Sequence, residues 1–216
     1  MLEKISQKIH WLGHDCIRID CDPVIYFDPY EIEPGSRAGI ILITHDHYDH
    51  CSIEDIKKVL GPDTVIVTEK DSGKKIKKEI GDMVEGGINI LAPGESITVK
   101  GISIDAVPSY NMDKKFHPKS KNWLGFIVNI DGIRVYHAGD TDKIPEMDDF
   151  KCDVAMLPVS GTYVMTASEA ADAALAIKPG LAIPMHYGTL VGDEGDAMAF
   201  SKALEGKVDV KILSKE

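Results

Sequence analysis

The run Gly39-Ile-Ile-Leu-Ile-Thr44 is apolar without alternating, which predicts a strand covered on both faces. A strand of that kind needs a layer above and a layer below it. The same run passes directly into Thr44-His45-Asp46-His47-Tyr48-Asp49-His50, which places three of the chain's eight histidines within six residues. Imidazole and carboxylate bind zinc, manganese and iron, and a loop leaving a strand end can turn such side chains toward one point. The rival reading of this segment is a polar surface turn with incidental histidines.

Further short apolar runs surround it. Lys8 to Leu12, Cys16 to Ile19 and Val24 to Phe27 read as strands, and so does Thr64 to Thr68. Ser52 to Leu60 reads as a helix capped by Ser52, with Asp55 three residues on and Gly61-Pro62 as its stop. Asp71 to Ile80 reads as a helix with a solvated lysine face. Several strand-like segments follow from Gly86 onward, with strands at Gly125 to Ile130 and Ile133 to His137 joined by the hairpin turn Asp131-Gly132. Asp153 to Pro158 and Leu181 to Met185 are strands, and between them Thr166-Ala-Ser-Glu169 opens an Ala-rich helix. Asp193 to Leu204 reads as a last helix and Val208 to Leu213 as a last strand. Strand-rich sections followed by helix in both halves suggest two sheets packed face to face with helices outside, in one domain spanning residues 1–216.

Three more strand ends carry an acid or a histidine: Tyr26-Phe27-Asp28-Pro29, His137-Ala138-Gly139-Asp140-Thr141 and Ile183-Pro184-Met185-His186-Tyr187. Each alone is a common turn or cap. Together with the histidine cluster they share one explanation, a metal-binding crevice where these strand ends meet.

Composition sets the outer limits. The chain has 24 Lys and Arg against 35 Asp and Glu, a formal charge of −11, which argues against a general nucleic-acid or anionic-membrane surface. No apolar stretch reaches the roughly 20 residues of a membrane span, and the first ten residues lack an apolar signal core, so a cytoplasmic protein is expected. Cys16, Cys21, Cys51 and Cys152 form no Cys-x-x-Cys pair and are expected to be reduced and buried.

The motif His45-x-His47-x-Asp49-His50, with the phrases Trp11-Leu12-Gly13-His14, Phe27-Asp28-Pro29, Tyr136-His137-Ala138-Gly139-Asp140-Thr141 and Leu157-Pro158, resembles the metallo-β-lactamase superfamily over nearly the whole chain. The phrasing is similar to the branch of metal-dependent hydrolases related to the lactonase that opens ascorbate 6-phosphate and, more distantly, to the phospholipase D that cleaves N-acyl phosphatidylethanolamine. That resemblance implies an α+β four-layer αββα sandwich, two mixed β-sheets with helices outside. It also implies a dinuclear centre: His45 and His47 on the first metal, Asp49, His50 and His186 on the second, Asp140 bridging, and Asp28 orienting the histidine cluster through hydrogen bonds. His14 and His137 match family phrases without matching ligand positions, so supporting roles are expected of them.

The departure from the pattern is the first site's third histidine, expected after the strand Ile102 to Val107, where Pro108-Ser109-Tyr110-Asn111 stands instead. Either the long loop Val107 to Asn122 folds back so that His117 takes the place, the reading favoured here, or that site is open.

Two divalent ions, zinc favoured over manganese, nickel or iron, would share a water or hydroxide and lower its pKa toward about 7. The expected activity is hydrolysis of an ester, lactone or phosphodiester of a small molecule, with Asp49 and His50 closest to the chemistry. Tyr110, Tyr163 and Tyr187 are candidate hydrogen-bond donors to substrate. Lys114, Lys115, Lys119 and Lys121 make the long loop locally basic, which would suit an anionic substrate or be a solvated charged loop. A nuclease or thiolester hydrolase is an enzymatic alternative, and a metal or redox sensor or binding module is the alternative without turnover. A homo-oligomer is compatible with these features.

Overall fold

The computed structural model describes residues 2–216. A short helix α1 (Leu2–Ser6) precedes strands β1 (Ile9–Gly13), β2 (Cys16–Ile19), β3 (Ile25–Phe27) and β4 (Ala38–Ile43). Then come α2 (Ile53–Val59), β5 (Leu60–Thr68), α3 (Lys70–Ile80), β6 (Ile88–Ile90), β7 (Ser96–Val99) and β8 (Ile102–Pro108). The second half holds β9 (Leu124–Ile130), β10 (Ile133–His137), β11 (Val154–Pro158), α4 (Ala167–Ile177), β12 (Leu181–Met185), α5 (Glu194–Ala203) and β13 (Asp209–Val210).

Two sheets result, one ordered β1-β2-β3-β4-β5-β6 and the other β13-β12-β11-β10-β9-β8-β7. Both are mixed. In the first, β1, β2 and β3 pair antiparallel while β3, β4, β5 and β6 run parallel. In the second, β7 to β10 are antiparallel and β10 to β13 parallel.

The layers follow from alternation along the strands. Ile40 and Leu42 of β4 join the main core with Phe27, Ile104, Phe126 and Val128 between the sheets. Ile41 and Ile43 face the other way and pack with Ile56 and Val59 of α2 and Ile76 and Ile80 of α3. The far side of the second sheet is covered by Ala170, Ala173, Ala174 and Ile177 of α4 and by Phe200 of α5. Full burial of a Leu or Ile side chain stabilises by about 1.5–3 kcal/mol, so β4, buried on both faces, anchors the fold at the point where the histidine loop leaves it. The small alanines of α4 let that helix lie close to the sheet. Its start carries the capping box of Thr166 and Glu169.

Several local expectations change. Helix α2 stops at Val59 and β5 starts at Leu60, because Thr64 Oγ1 accepts from the Gly61 amide at 2.7 Å and donates to the Ala38 carbonyl. Gly61-Pro62 therefore lies inside an extended segment and does not form the stop. The Ser52 side chain accepts from the Asp55 amide, but the Asp55 carboxylate turns to the amides of Glu31 and Ile32 at 3.1 and 3.2 Å. The last strand is only Asp209–Val210, since the chain then crosses to β1, where the Glu216 amide donates to the Trp11 carbonyl at 3.1 Å. Cys16 and Cys51 are buried as expected, whereas Cys21 and Cys152 are half-buried; all four are free thiols. Among the described residues no helix is long and apolar enough to cross a membrane.

Candidate metal centre

The polar strand ends gather at one edge of the sandwich, and a repeated backbone turn aims them. His14 (φ 51°), Asp28 (φ 41°) and His186 (φ 59°) directly follow β1, β3 and β12 in the left-handed region, and Gly139 (φ 60°) plays the same part just after β10. A non-glycine residue in this region costs about 1–2 kcal/mol, and the strain is concentrated where side chains must leave the sheet abruptly. Hydrogen bonds tie the ends together: the His186 amide donates to the His14 carbonyl at 3.1 Å and the Leu124 amide to the Thr44 carbonyl at 3.0 Å.

The donor atoms converge in two groups that share Asp140. Ring nitrogens of His45, His47 and His117 lie within 4.8 Å of one another, as do those of His14, His50 and His186. Asp140 reaches both, with Oδ2 at 3.1 Å from His117 Nε2 and Oδ1 at 3.4 and 3.3 Å from His50 and His186 Nε2. The long loop does fold back, so His117 stands 5.2 Å from His45 and 5.1 Å from His47, ring centre to ring centre. It is held there by Asn111, whose backbone amide donates to the His117 carbonyl at 2.7 Å.

Hydrogen bonds behind the rings fix which nitrogen faces inward. Thr44 Oγ1 donates to Asp28 Oδ2 at 2.6 Å, so at 3.0 Å from His45 Nδ1 it acts as acceptor and leaves His45 Nε2 as a lone pair. His50 Nδ1 donates to Asp28 Oδ2 at 2.9 Å, and His186 Nδ1 to Ser160 Oγ at 2.9 Å. His117 Nδ1 faces Asn111 Oδ1 and the Tyr163 carbonyl at 3.2 and 3.3 Å. His47 presents its other nitrogen: its Nδ1 sits 3.0 Å from His45 Nε2. His50 Nε2, His117 Nε2 and Asp140 Oδ1 are buried without a directed hydrogen-bond partner. Buried polar atoms are normally satisfied, so inward lone pairs and an unsatisfied carboxylate oxygen around one point are what a bound cation would complete.

The rings and carboxylates also set one another's protonation. Burial, reinforced by His50, pushes His45 well below the ordinary imidazole range, and burial with His117 lowers His47. For His50 and His186 burial acts downward too, but Asp140 outweighs it and raises both. Burial opposes ionisation of Asp140, yet His186 and His50 hold it well below the usual carboxylate range. Asp49 is pulled down to about 2, since a hydrogen bond from His14 Nε2 at 3.2 Å, with His50, overcomes its burial.

The other candidates fall into place as follows. Asp28 is fully buried and accepts from the Thr44 amide at 2.8 Å as well as from Thr44 Oγ1 and His50. His137 has both nitrogens engaged, Nε2 with the Asp15 carbonyl at 2.9 Å and Nδ1 with the Gly139 amide at 3.3 Å, and stacks on Phe27. His14 holds Asp49 and stands in the wall of the cleft. Two of the candidate tyrosines do not line that cleft. The Tyr110 hydroxyl donates to Glu146 Oε2 at 2.8 Å, away from the histidines, and Tyr187 is buried in a stack on Trp11 at 4.6 Å. Tyr163 does line the cleft, beside Phe116.

Residues that sequence reasoning missed support the site from behind. Ser160 follows β11, three positions before the candidate Tyr163. Asp15 is fully buried with neither carboxylate oxygen hydrogen-bonded, 3.9 Å from His50 Nδ1; burial, with Asp140 and Asp28 nearby, raises it well above the carboxylate range. Nothing in a Gly-His-Asp-Cys phrase marks that position. The cleft in front of the donors has a volume of about 430 Å³, the size of a small-molecule site.

Residues 8–186 match the Beta-lactamase superfamily domain. A UPF0173 metal-dependent hydrolase of Thermoplasma acidophilum is 31% identical, the match covering 97% of this chain and 95% of that protein. The crystal structure of a Parabacteroides distasonis protein assigned as a metal-dependent hydrolase superposes with a TM-score of 0.82 at 35% identity, over 95% of this chain and 93% of that one. A metallo hydrolase from Ignicoccus hospitalis shares the fold at 24% identity, with a TM-score of 0.75 and coverage of 96% and 94%. The αββα sandwich, with histidines and aspartates gathered at its edge, thus belongs to a chain of the beta-lactamase superfamily, within the UPF0173 metal-dependent hydrolase family.

Proposed function

We propose that the chain hydrolyses an ester, lactone or phosphodiester bond of a small molecule, with two divalent ions at the His and Asp cluster. The observation that carries this reading is the orientation of the donors: His45, His50, His117 and His186 each have Nδ1 tethered and Nε2 turned inward, around a shared Asp140. His45, His47 and His117 would hold one ion, Asp49, His50 and His186 the other, and Asp140 both. A donor set this rich in imidazole favours zinc, with manganese, nickel or iron able to substitute. Bound there, divalent cations lower the pKa of a water and polarise the substrate oxygen.

The protein's own groups do the rest. Asp49 is ionised throughout the neutral range and lines the cleft, so it can accept the proton of an attacking water and pass it to the leaving oxygen. His14 fixes the direction of that carboxylate. His50, backed by Asp28, stays oriented through the cycle.

The test is a panel of esters, lactones and phosphodiesters assayed with protein loaded with zinc, manganese or nickel, alongside His47→Ala and Asp140→Ala. Turnover that both substitutions reduce by at least a hundredfold supports the reading. Tight metal binding with no turnover anywhere on the panel overturns it in favour of a sensor or binding module.

A further inference from the structure

The cleft carries an apolar rim that the chemistry of the metal cluster does not require. Tyr48, Phe116, Tyr163 and Leu190 are 64%, 53%, 42% and 41% exposed, values unusual for such side chains, and all four line this one opening together with Val191. They come from four separate loops, yet each is tied to a candidate ligand. Tyr48 sits between His47 and Asp49, and Phe116 precedes His117. Tyr163 accepts from His117 Nδ1 through its carbonyl, and Leu190 is four residues past His186. Phe116 and Tyr163 already meet edge to face at 4.6 Å, so two loops share one aromatic wall.

Charge points the same way. Among the described residues no Lys or Arg lines the cleft. Three of the four basic residues of the long loop are engaged elsewhere, Lys114 with Asp142 at 2.5 Å, Lys119 with Glu146 at 2.8 Å and Lys121 with Asp71 at 3.6 Å, and the exposed Lys115 does not line the cleft. A phosphate or carboxylate remote from the reacting bond would meet aromatic and aliphatic surface and no cation, and would lose hydration without compensation.

Resting on the hydrolase reading above, we propose that the substrate is a neutral carboxylic ester or lactone bearing an aliphatic or aromatic group. The apolar group lodges against Phe116, Tyr163, Leu190 and Val191, and the carbonyl faces the histidines. In the reaction the water oxygen bonds to the carbonyl carbon and the carbon–oxygen ester bond breaks. The water's proton passes to the leaving alkoxide, giving one acid and one alcohol from an ester or a single hydroxy acid from a lactone, with no redox partner.

The experiment measures kcat/KM of zinc-loaded protein on phenyl acetate, butyrate and hexanoate, on phenyl hemisuccinate and on bis(phenyl) phosphate. Dissociation constants for unreactive alkyl phenyl ketones of matching chain length are measured in parallel. The expected result is a rise of about two- to fourfold in kcat/KM per added methylene, a like tightening of ketone binding, and at least tenfold discrimination against the hemisuccinate and the phosphate. Phe116→Ala should flatten both chain-length series, and Leu190→Lys should raise the hemisuccinate relative to the butyrate. A flat series in both readouts, or preference for an anionic substrate, overturns the proposal while leaving hydrolysis standing. Absence of all turnover refutes the hydrolase reading, and ketone binding that does not tighten with chain length then removes the apolar cleft as well.

Discussion

Asp28→Asn isolates the part of the site that never touches substrate. The carboxylate is fully buried and accepts three hydrogen bonds, from the Thr44 amide, Thr44 Oγ1 and His50 Nδ1. An asparagine keeps one, from the Thr44 amide, while its NH2 group must face Thr44 Oγ1 and His50 Nδ1, both of which were donors. Hydrogen bonds to a charged group contribute about 1.5–3 kcal/mol each, and the relief of one buried charge offsets part of the loss, so a net cost of about 2–4 kcal/mol follows. For a chain of this size that is roughly 5–15 °C in Tm. The second consequence is specific. To find a partner His50 must turn Nδ1 into an acceptor, which places its proton on Nε2 and takes away the inward lone pair. Metal affinity should therefore fall about 10- to 100-fold at the ion held by His50, measured by competition with a chromophoric chelator on folded protein. Thr44→Val, which removes the Thr44 hydroxyl from Asp28 and His45 but leaves His50 held, should show a smaller effect at that ion. If Asp28→Asn binds both ions as tightly as the parent, the argument that hydrogen bonds behind the rings set the inward nitrogens is refuted.

Gly139→Ala should cost about 1–3 kcal/mol in urea unfolding and weaken metal binding. The residue has φ 60°, and an added Cβ would stand 3.0 Å from both the Leu124 carbonyl oxygen and Thr44 Cβ, displacing the turn that aims Asp140; full retention of both properties contradicts this. Asp55→Asn should destabilise in a pH-dependent way. Burial raises the Asp55 pKa, but bonds from Ser52, Lys58 and the Glu31 and Ile32 amides outweigh it, so the folded value lies below the unfolded one of about 3.9. Its stabilisation is complete above that unfolded value and is lost as pH falls through the folded one, so the gap between parent and variant in chemical denaturation should be about 2 kcal/mol at pH 7 and shrink as pH falls below the unfolded value. A gap that does not shrink as pH falls would assign the effect to shape instead of charge. Stripping metal with a chelator should lower Tm, since an ion at a hundred times its Kd stabilises the folded state by about 2.7 kcal/mol; an unchanged melting curve would show that nothing was bound.

The layer order was legible because hydrophobic pattern and turn chemistry agreed. The non-alternating Gly39 to Thr44 run demanded cover on both faces and received it, and the Asp131-Gly132 hairpin and Thr166-Ala-Ser-Glu169 cap formed where they were read. The histidine cluster announced itself because its residues are neighbours in sequence. His117 was harder, since its place depends on a loop closing through Asn111, a contact with no periodic signature. Tyr110 and Tyr187 read as substrate candidates because a tyrosine in a loop carries no sign of which way its hydroxyl points; Glu146 and Trp11, both distant in sequence, engage the two side chains. Gly61-Pro62 looked like a helix stop because the local rule was right and the pairing of Leu60 with Ala38 overrode it. The apolar rim has no sequence signature, since Tyr48, Phe116, Tyr163 and Leu190 form a pattern only after four loops have met.

The central claim is that this cluster holds two ions and that both are needed for hydrolysis. Stepwise addition of zinc to metal-free protein, with bound zinc determined by element analysis and ester turnover read on the same samples, tests it directly. Tight binding of two zinc ions per chain is expected, with turnover reaching its plateau at the second. Binding of fewer than one ion per chain, or full turnover in the metal-free sample, would contradict it.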